Sequence, residues 1–269
     1  MSLVPTRRDW TLALLDLASG IAAWNIWYLL GISDIRQRYN RSKFGQFWIT
    51  LSMGVFIGGI GLVYSVLFHQ PVQQYIPYLA ANITIWNLIS ATIGESGTVF
   101  TQAALYMRQD AMAKTIFIMR LLLRNMVVLA HNIVIVPLVF IAFQYVPSPK
   151  IVLALPGLAL VIVALFLMTL ILGILSTRFR DLPQIVQNAL QLFFFVTPIM
   201  WRADQMTSDQ QNLVLLNPFA ALLRIVAEPI LGGVPPLESY LISLGFICLL
   251  AIIALPLFAR FRARIVYWL

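Results

Sequence analysis

Gly94-Glu95-Ser96-Gly97 has a shape in which a serine hydroxyl, deprotonated by a histidine on another helix, could attack as a nucleophile. The chain has two histidines, His69 and His131. His69 falls in the first outer loop of the layout derived below, whereas Ser96 falls at the inner end of an apolar run, so a membrane should separate them. His131 is about two turns deep in the next run, while Ser96 sits where loop residues are common. Geometry therefore weighs against nucleophilic catalysis. No Gly-x-x-x-x-Gly-Lys loop is present to cradle a phosphate, and no paired carboxylates face each other inside an apolar run. Any use of ATP must be made by another chain.

The elements that must position these residues are membrane spans. With 61% hydrophobic and 10% charged residues and a mean hydropathy of +0.88, the chain has too few charges to coat a soluble globule of its length. The formal charge of +8 is read as cytoplasmic-loop cations, with no nucleic-acid partner. The lone Cys248 excludes an intrachain disulfide framework and a cysteine metal cluster. No cleaved signal peptide is expected, because Asp16 and Asn25 break the first apolar segment.

Apolar segments run at about 47–68, 76–93, 119–143, 151–175, 184–200 and 239–258. A hydrocarbon core roughly 30 Å thick needs about 20 helical residues, so an all-α integral membrane protein with six transmembrane helices is expected, 184–200 being the shortest. Orientation comes from Asp34 to Trp48, which sets Arg36, Arg38, Arg41 and Lys43 directly before the first span, with Phe44, Phe47 and Trp48 at headgroup depth. With that end cytoplasmic, both termini are cytoplasmic, and only Lys150, Arg202 and Arg224 of the 18 Lys and Arg residues lie outside. Residues 9–33 carry Trp10, Leu14, Leu17, Ile21, Trp24 and Tyr28 at steps of three and four, as an interfacial amphipathic helix would. The outer segment 201–238 is too apolar for a plain loop and too short for two spans. Two short re-entrant helices are expected there.

The third span carries a polar stripe. Arg120, Arg124 and His131 are spaced four and seven apart, and Asn125 and Asn132 seven apart, which gathers them on one broad helix face. A mid-span Arg costs about 2.5–3.5 kcal/mol, so partners are required, and Glu95 at similar depth is the obvious one. The stripe is either a packing seam, the favoured reading, or the lining of an inner transport path. Gly54 and Gly58 form a Gly-x-x-x-Gly suited to close helix packing. Arg178, Arg180 and Asp181 read as a solvated turn.

In order along the chain, Asp34-Ile-Arg-Gln-Arg-Tyr with Ser42 and Gly45 to Trp48, Tyr75-Ile-Pro-Tyr, Trp86, Glu95, Arg124-Asn125 with His131-Asn132, Phe179-Arg-Asp-Leu-Pro183, Thr197-Pro-Ile199 and Leu216-Asn-Pro218 resemble the membrane subunit of type-2 ABC exporters of O-antigen, capsule or teichoic-acid polysaccharides. The Arg-Asn and His-Asn pairs favour the O-antigen branch. The resemblance implies a homodimer working with two ABC ATPase subunits that hold ATP and Mg, no cofactor or catalytic site in this chain, and a location in the bacterial inner membrane. It also implies a glycan substrate on undecaprenyl pyrophosphate.

Segment 97–114 would hold the coupling helix, with Tyr106, Met107, Arg108 and Asp110 as ATPase contacts. Arg36, Arg38, Arg41 and Lys43 would either attract the pyrophosphate or serve only topology and anionic lipid. Tyr64, Phe68, Trp86, Phe194 and Trp201 would stack on sugar faces along a path opened between spans one and five. A type-2 permease for drugs or small lipids, and less plausibly an intramembrane enzyme built on Ser96, are the alternatives.

Overall fold

The computed structural model describes residues 5–39, 45, 47–110, 112–202, 207, 214 and 216–269, and every regular element among them is helical. The first is α1, Arg7–Ala22, which opens with a reciprocal cap: Thr6 Oγ1 accepts the Asp9 N–H and Asp9 Oδ2 accepts the Thr6 N–H. After Ala23 the chain bends by 63° into α2, Trp24–Tyr39. The Trp27 indole N–H donates to the Ile21 carbonyl at 3.2 Å, giving a partner to a group beside the broken ladder. The interval 9–33, expected as one interfacial helix, therefore belongs to two.

Helices α3, Phe47–Leu67, and α4, Val72–Ser96, follow. They pack together but in unlike settings: 78% of the apolar window of α4 is buried inside the protein, against 17% for α3. Thus α4 is the axis of the bundle, and most of α3 is left for lipid or another chain. A Cβ added at Gly54 or Gly58 would meet nothing within 4 Å in this chain. The close approach is made instead by Gly61, where an added Cβ would come within 2.9 Å of Ile76 on α4.

A short helix α5, Ala104–Gln109, leads to α6, Thr115–Asn132, and α7, Ile135–Ala142. The span expected at 119–143 is interrupted after Asn132 because Pro137 has no N–H and its ring crowds the carbonyl four residues earlier, at Ile133. A 3₁₀ turn, Pro149–Leu153, enters α8, Ala154–Arg178. The remaining helices are α9, Leu182–Val196; α10, Pro218–Ile230; α11, Leu237–Phe261; and α12, Ile265–Trp268.

Five helices are long and apolar enough to cross a membrane, or six if the bent pair α1 and α2 is one span. The segment 184–200, expected as the fifth span, is shorter in the structure. Helix α9 has 15 residues, only about 22 Å at 1.5 Å per residue. Pro198 ends it, since the residue before a proline is driven out of helical geometry, and Thr197 is extended at ψ 138°.

The irregular stretch that follows is buried at Ile199 and Met200, so its carbonyls need partners. Tyr75 Oη donates to the Met200 carbonyl at 2.6 Å, and Tyr78 Oη to those of Pro198 and Trp201 at 2.9 and 2.8 Å. Asn217 completes the junction, its Nδ2 donating to Thr197 Oγ1 and its Oδ1 capping the Phe219 N–H, both at 3.0 Å. In the segment 201–238, where two re-entrant helices are expected, the described residues include the helix α10, while 203–206, 208–213 and 215 lie outside them.

Helix α10 packs so closely on α8 that a Cβ at Gly157 would run into the backbone carbonyl of Ile225. Backbone cannot move as a flexible side chain can. Gly157→Val is therefore expected to destabilise the protein by about 1–3 kcal/mol through overpacking, read as a lower thermal midpoint in detergent.

Candidate functional site

At the end of the bundle that carries Arg36, Arg38, Arg108 and Arg178, three helices are joined by a chain of charges. Glu95, in the last turn of α4, accepts from Arg124 Nη2 at 2.7 Å and Asn125 Nδ2 at 3.1 Å, both on α6. Its other oxygen lies 3.4 Å from Arg38 Nη2 on α2. Arg124 also reaches Asp34 at 3.4 Å. Arg120 closes the chain with a two-pronged contact to Asp34, Nε to Oδ2 at 2.7 Å and Nη2 to Oδ1 at 2.5 Å.

The side chains grow wetter along the series. Arg124, Asp34 and Arg120 are 11, 14 and 16% exposed, Glu95 is 28% and Arg38 is 53% exposed. The inner members depend on one another, because a charge in dry surroundings without its partner carries a heavy desolvation penalty.

Glu95 thus meets Arg124 and Asn125, but Arg120 is held by Asp34, which sequence reasoning did not place as its partner. The available signal was the need for a second carboxylate at the depth of two arginines. His131 stands apart from the chain: its Nδ1 bonds the Val127 carbonyl of its own helix at 2.8 Å, and its own carbonyl accepts from Thr50 Oγ1 at 3.0 Å. Asn132 is buried, and its Oδ1 has no partner among the described residues. Ser96 is fully buried and donates back to Ile93 at 2.5 Å, an arrangement for packing rather than attack.

Glu95 also stands at the end of an open groove of about 580 Å³ between α4 and α9. Trp86, Asn87, Ser90 and Gly94 line one wall, and Gln187, Gln191 and Phe194 the other. The Trp86 and Phe194 rings are 6.2 Å apart, and Gln187 Nε2 donates to the Gly94 carbonyl at 3.2 Å. Trp86 is 6% exposed and belongs to the core behind the groove, so the half-buried Phe194 and the exposed Phe195 are the rings that face it, while carboxamides and a hydroxyl offer both donors and acceptors, a lining suited to a ligand that is apolar on its faces and polar at its edges.

The other aromatic candidates lie elsewhere. Tyr64 packs on Phe68 at 5.4 Å, and Phe68 on Tyr75 at 6.3 Å, between α3 and α4. The Trp201 indole donates to the Phe195 carbonyl at 3.0 Å, fastening the end of α9. A second cavity of about 280 Å³ lies near the far end of α4, between Tyr78 and Asn82 and helix α10.

On α5, Tyr106, Arg108 and the following Asp110 are exposed, but Met107 is 4% exposed and belongs to the core. It anchors the helix, which corrects its assignment as a surface contact. Tyr106 faces inward as well as outward, its ring centroid 6.3 Å from that of Phe117 and 5.9 Å from the Arg120 guanidinium carbon. Arg36 and Arg38 are exposed at the end of α2; Arg41 and Lys43 lie outside the described residues.

A buried carboxylate ties this end together. Asp16 of α1 accepts from the backbone N–H groups of Lys114 and Thr115 at 3.1 Å each, from Thr115 Oγ1 at 3.0 Å and from Arg262 Nη1 at 3.2 Å. It supplies from outside the cap that α6 lacks in its own sequence. Burial lowers the pKa of the neighbouring Lys114 ammonium, and the Asp16 charge partly offsets this.

These features define a multi-pass helical membrane protein with a groove open at its side and a charged seam behind it. Residues 26–231 match the ABC-2 type transporter family, and the chain belongs to that family, as the membrane permease that associates with an ABC ATPase. It is similar to an O-antigen export system permease protein RfbA of Klebsiella pneumoniae, 24% identical over 90% of this chain and 96% of the relative. The protein of that name from Myxococcus xanthus is 28% identical over 71% of this chain and 74% of the relative.

Proposed function

We propose that two copies of this chain, with two ATPase subunits that bind ATP and Mg, export a lipid-linked polysaccharide of the O-antigen type across the bacterial inner membrane. The glycan travels on undecaprenyl pyrophosphate, and both termini of the permease are cytoplasmic. The observation that carries this reading is the groove between α4 and α9, whose rings and carboxamides match sugars, with their flat C–H faces and hydroxyl edges. The names of the relatives support it.

ATP binding closes the ATPase pair, and the motion enters through segment 97–114. Tyr106 leans on Arg120, which leads through Asp34 and Arg124 to Glu95 at the groove. This contiguous set gives α5 a mechanical route to the groove wall. Phe194, backed by the buried Trp86, stacks on the sugar within it. Tyr64, Phe68 and Trp201 serve the path at a distance, as spans one and five move apart. Arg36, Arg38, Arg41 and Lys43 draw the anionic lipid head, each contributing about 1 kcal/mol near the surface.

The test is reconstitution with the ATPase in nanodiscs, recording ATP hydrolysis and glycan export with a lipid-linked glycan. Hydrolysis is expected to respond to the glycan, and charge reversal at Arg108 or Asp110 to reduce export about tenfold or more while hydrolysis persists. Paired alanines at Trp86 and Phe194 that leave transport intact would favour a drug or small-lipid permease. A chain that recruits no ATPase would sink the proposal.

A further inference from the structure

We infer that the surface receiving the ATPase is composite: it extends from α5 onto the terminal helix α12 and the turn after α8, with Tyr267 as its outermost contact. The inference rests on the reading of α5 as the coupling helix and adds to it a docking element that is distant in sequence.

Helix α12 is set off from α11 by a 3₁₀ turn, Arg262–Arg264, and packs against both α5 and α8. It is firmly seated. Ile265 is fully buried, Trp268 packs on Phe261 with ring centroids 5.5 Å apart and planes tilted by 40°, and the Arg178 guanidinium lies over both Trp268, at 5.5 Å, and Phe179, at 5.8 Å. Residues three apart share a helix face, so seating Ile265 and Trp268 turns Tyr267 away from the protein, where it is 87% exposed.

Leu105 of α5 and Phe179 are exposed as well. Leu105, Phe179 and Tyr267 are thus exposed on elements that α12 joins by packing against both α5 and α8, as the apolar centre of an interface would be. The exposed rim carries both signs, Arg108, Arg178 and Arg180 with Asp110 and Asp181. An anionic bilayer surface selects cations and repels carboxylates, whereas a protein partner can complement a mixed rim. Continuity with α5 makes that partner the ATPase.

The test uses the full chain co-purified with its ATPase. Tyr267→Asp is expected to lower the ATPase retained per permease at least fivefold, with the permease's own thermal midpoint unchanged and Tyr267→Phe retaining the complex. As a second measurement, Tyr267→Cys in a Cys248→Ser background, alkylated at the thiol with a maleimide–benzophenone, is expected to photo-cross-link to the ATPase. Full retention in Tyr267→Asp without a cross-link overturns the inference. If Leu105→Asp releases the ATPase in that case, the reading of α5 survives alone; if Leu105→Asp retains it too, that reading fails as well. Loss in Tyr267→Asp seen only in nanodiscs containing phosphatidylglycerol, and not in lipid-free detergent, would mark a lipid contact and likewise overturn the inference.

Discussion

Asp16→Ala is expected to lower the stability of this chain by about 3–5 kcal/mol. The carboxylate is only 2% exposed as a side chain, and its removal leaves the Lys114 and Thr115 N–H groups uncapped and Arg262 without its anion. Three elements then loosen together, because α1, the start of α6 and the end of α11 meet at this one group. Asp16→Asn separates the two contributions. It keeps an acceptor for the helix cap but loses the charge opposite Arg262, so a smaller loss of about 1–3 kcal/mol is expected. Thermal unfolding of the purified permease in detergent measures both. A midpoint in Asp16→Ala equal to that of the parent would refute the anchoring role.

Arg124→Ala should have a comparable effect for a different reason. Arg124 is the shared cation of Glu95 and Asp34, so its loss leaves the mostly buried Asp34 with Arg120 alone and the partly exposed Glu95 with the half-exposed Arg38. A loss of about 3–5 kcal/mol is expected. Adding Glu95→Gln to Arg124→Ala removes one of the stranded charges, and the double variant is expected to recover part of the loss, giving a coupling energy of about 0.5–3 kcal/mol in a double-mutant cycle. Strict additivity of the two substitutions would show that Glu95 and Arg124 do not act as a pair. Export should fall in Arg124→Ala beyond what its lower stability explains, because the route from Tyr106 to the groove passes through it.

Much of the seam was legible beforehand. Helical spacing alone placed Arg120 and Arg124 on one face, and the rule that an intramembrane arginine needs a partner pointed to Glu95. The same spacing misled at His131. Seven residues along a helix restores the angular position but moves the side chain about 10 Å along the axis, and there it found its own Val127 carbonyl. Asp34 and Asp16 were visible as charges, but their partners are 86 and 98 residues away, and no local pattern encodes a separation of that kind. Met107 looked like a surface residue beside Arg108, yet a six-residue helix lying on the bundle must bury one side.

By itself the sequence determined that this is a helical membrane protein, roughly where its apolar segments lie and where its cations concentrate, because these depend on composition and on periods of 3.6 residues. It also carried, in Tyr75, Tyr78, Thr197, Pro198 and Asn217, motifs that proved to be three sides of one junction. Only the tertiary structure decided that these motifs meet, that α4 is the axis, that α9 stops short at Pro198, and that a groove opens between α4 and α9. Such features depend on which helix faces pack together. Inside a bilayer most faces are equally apolar, so hydrophobic pattern cannot choose among them, and the choice falls to close packing and buried polar pairs that only the folded chain brings together.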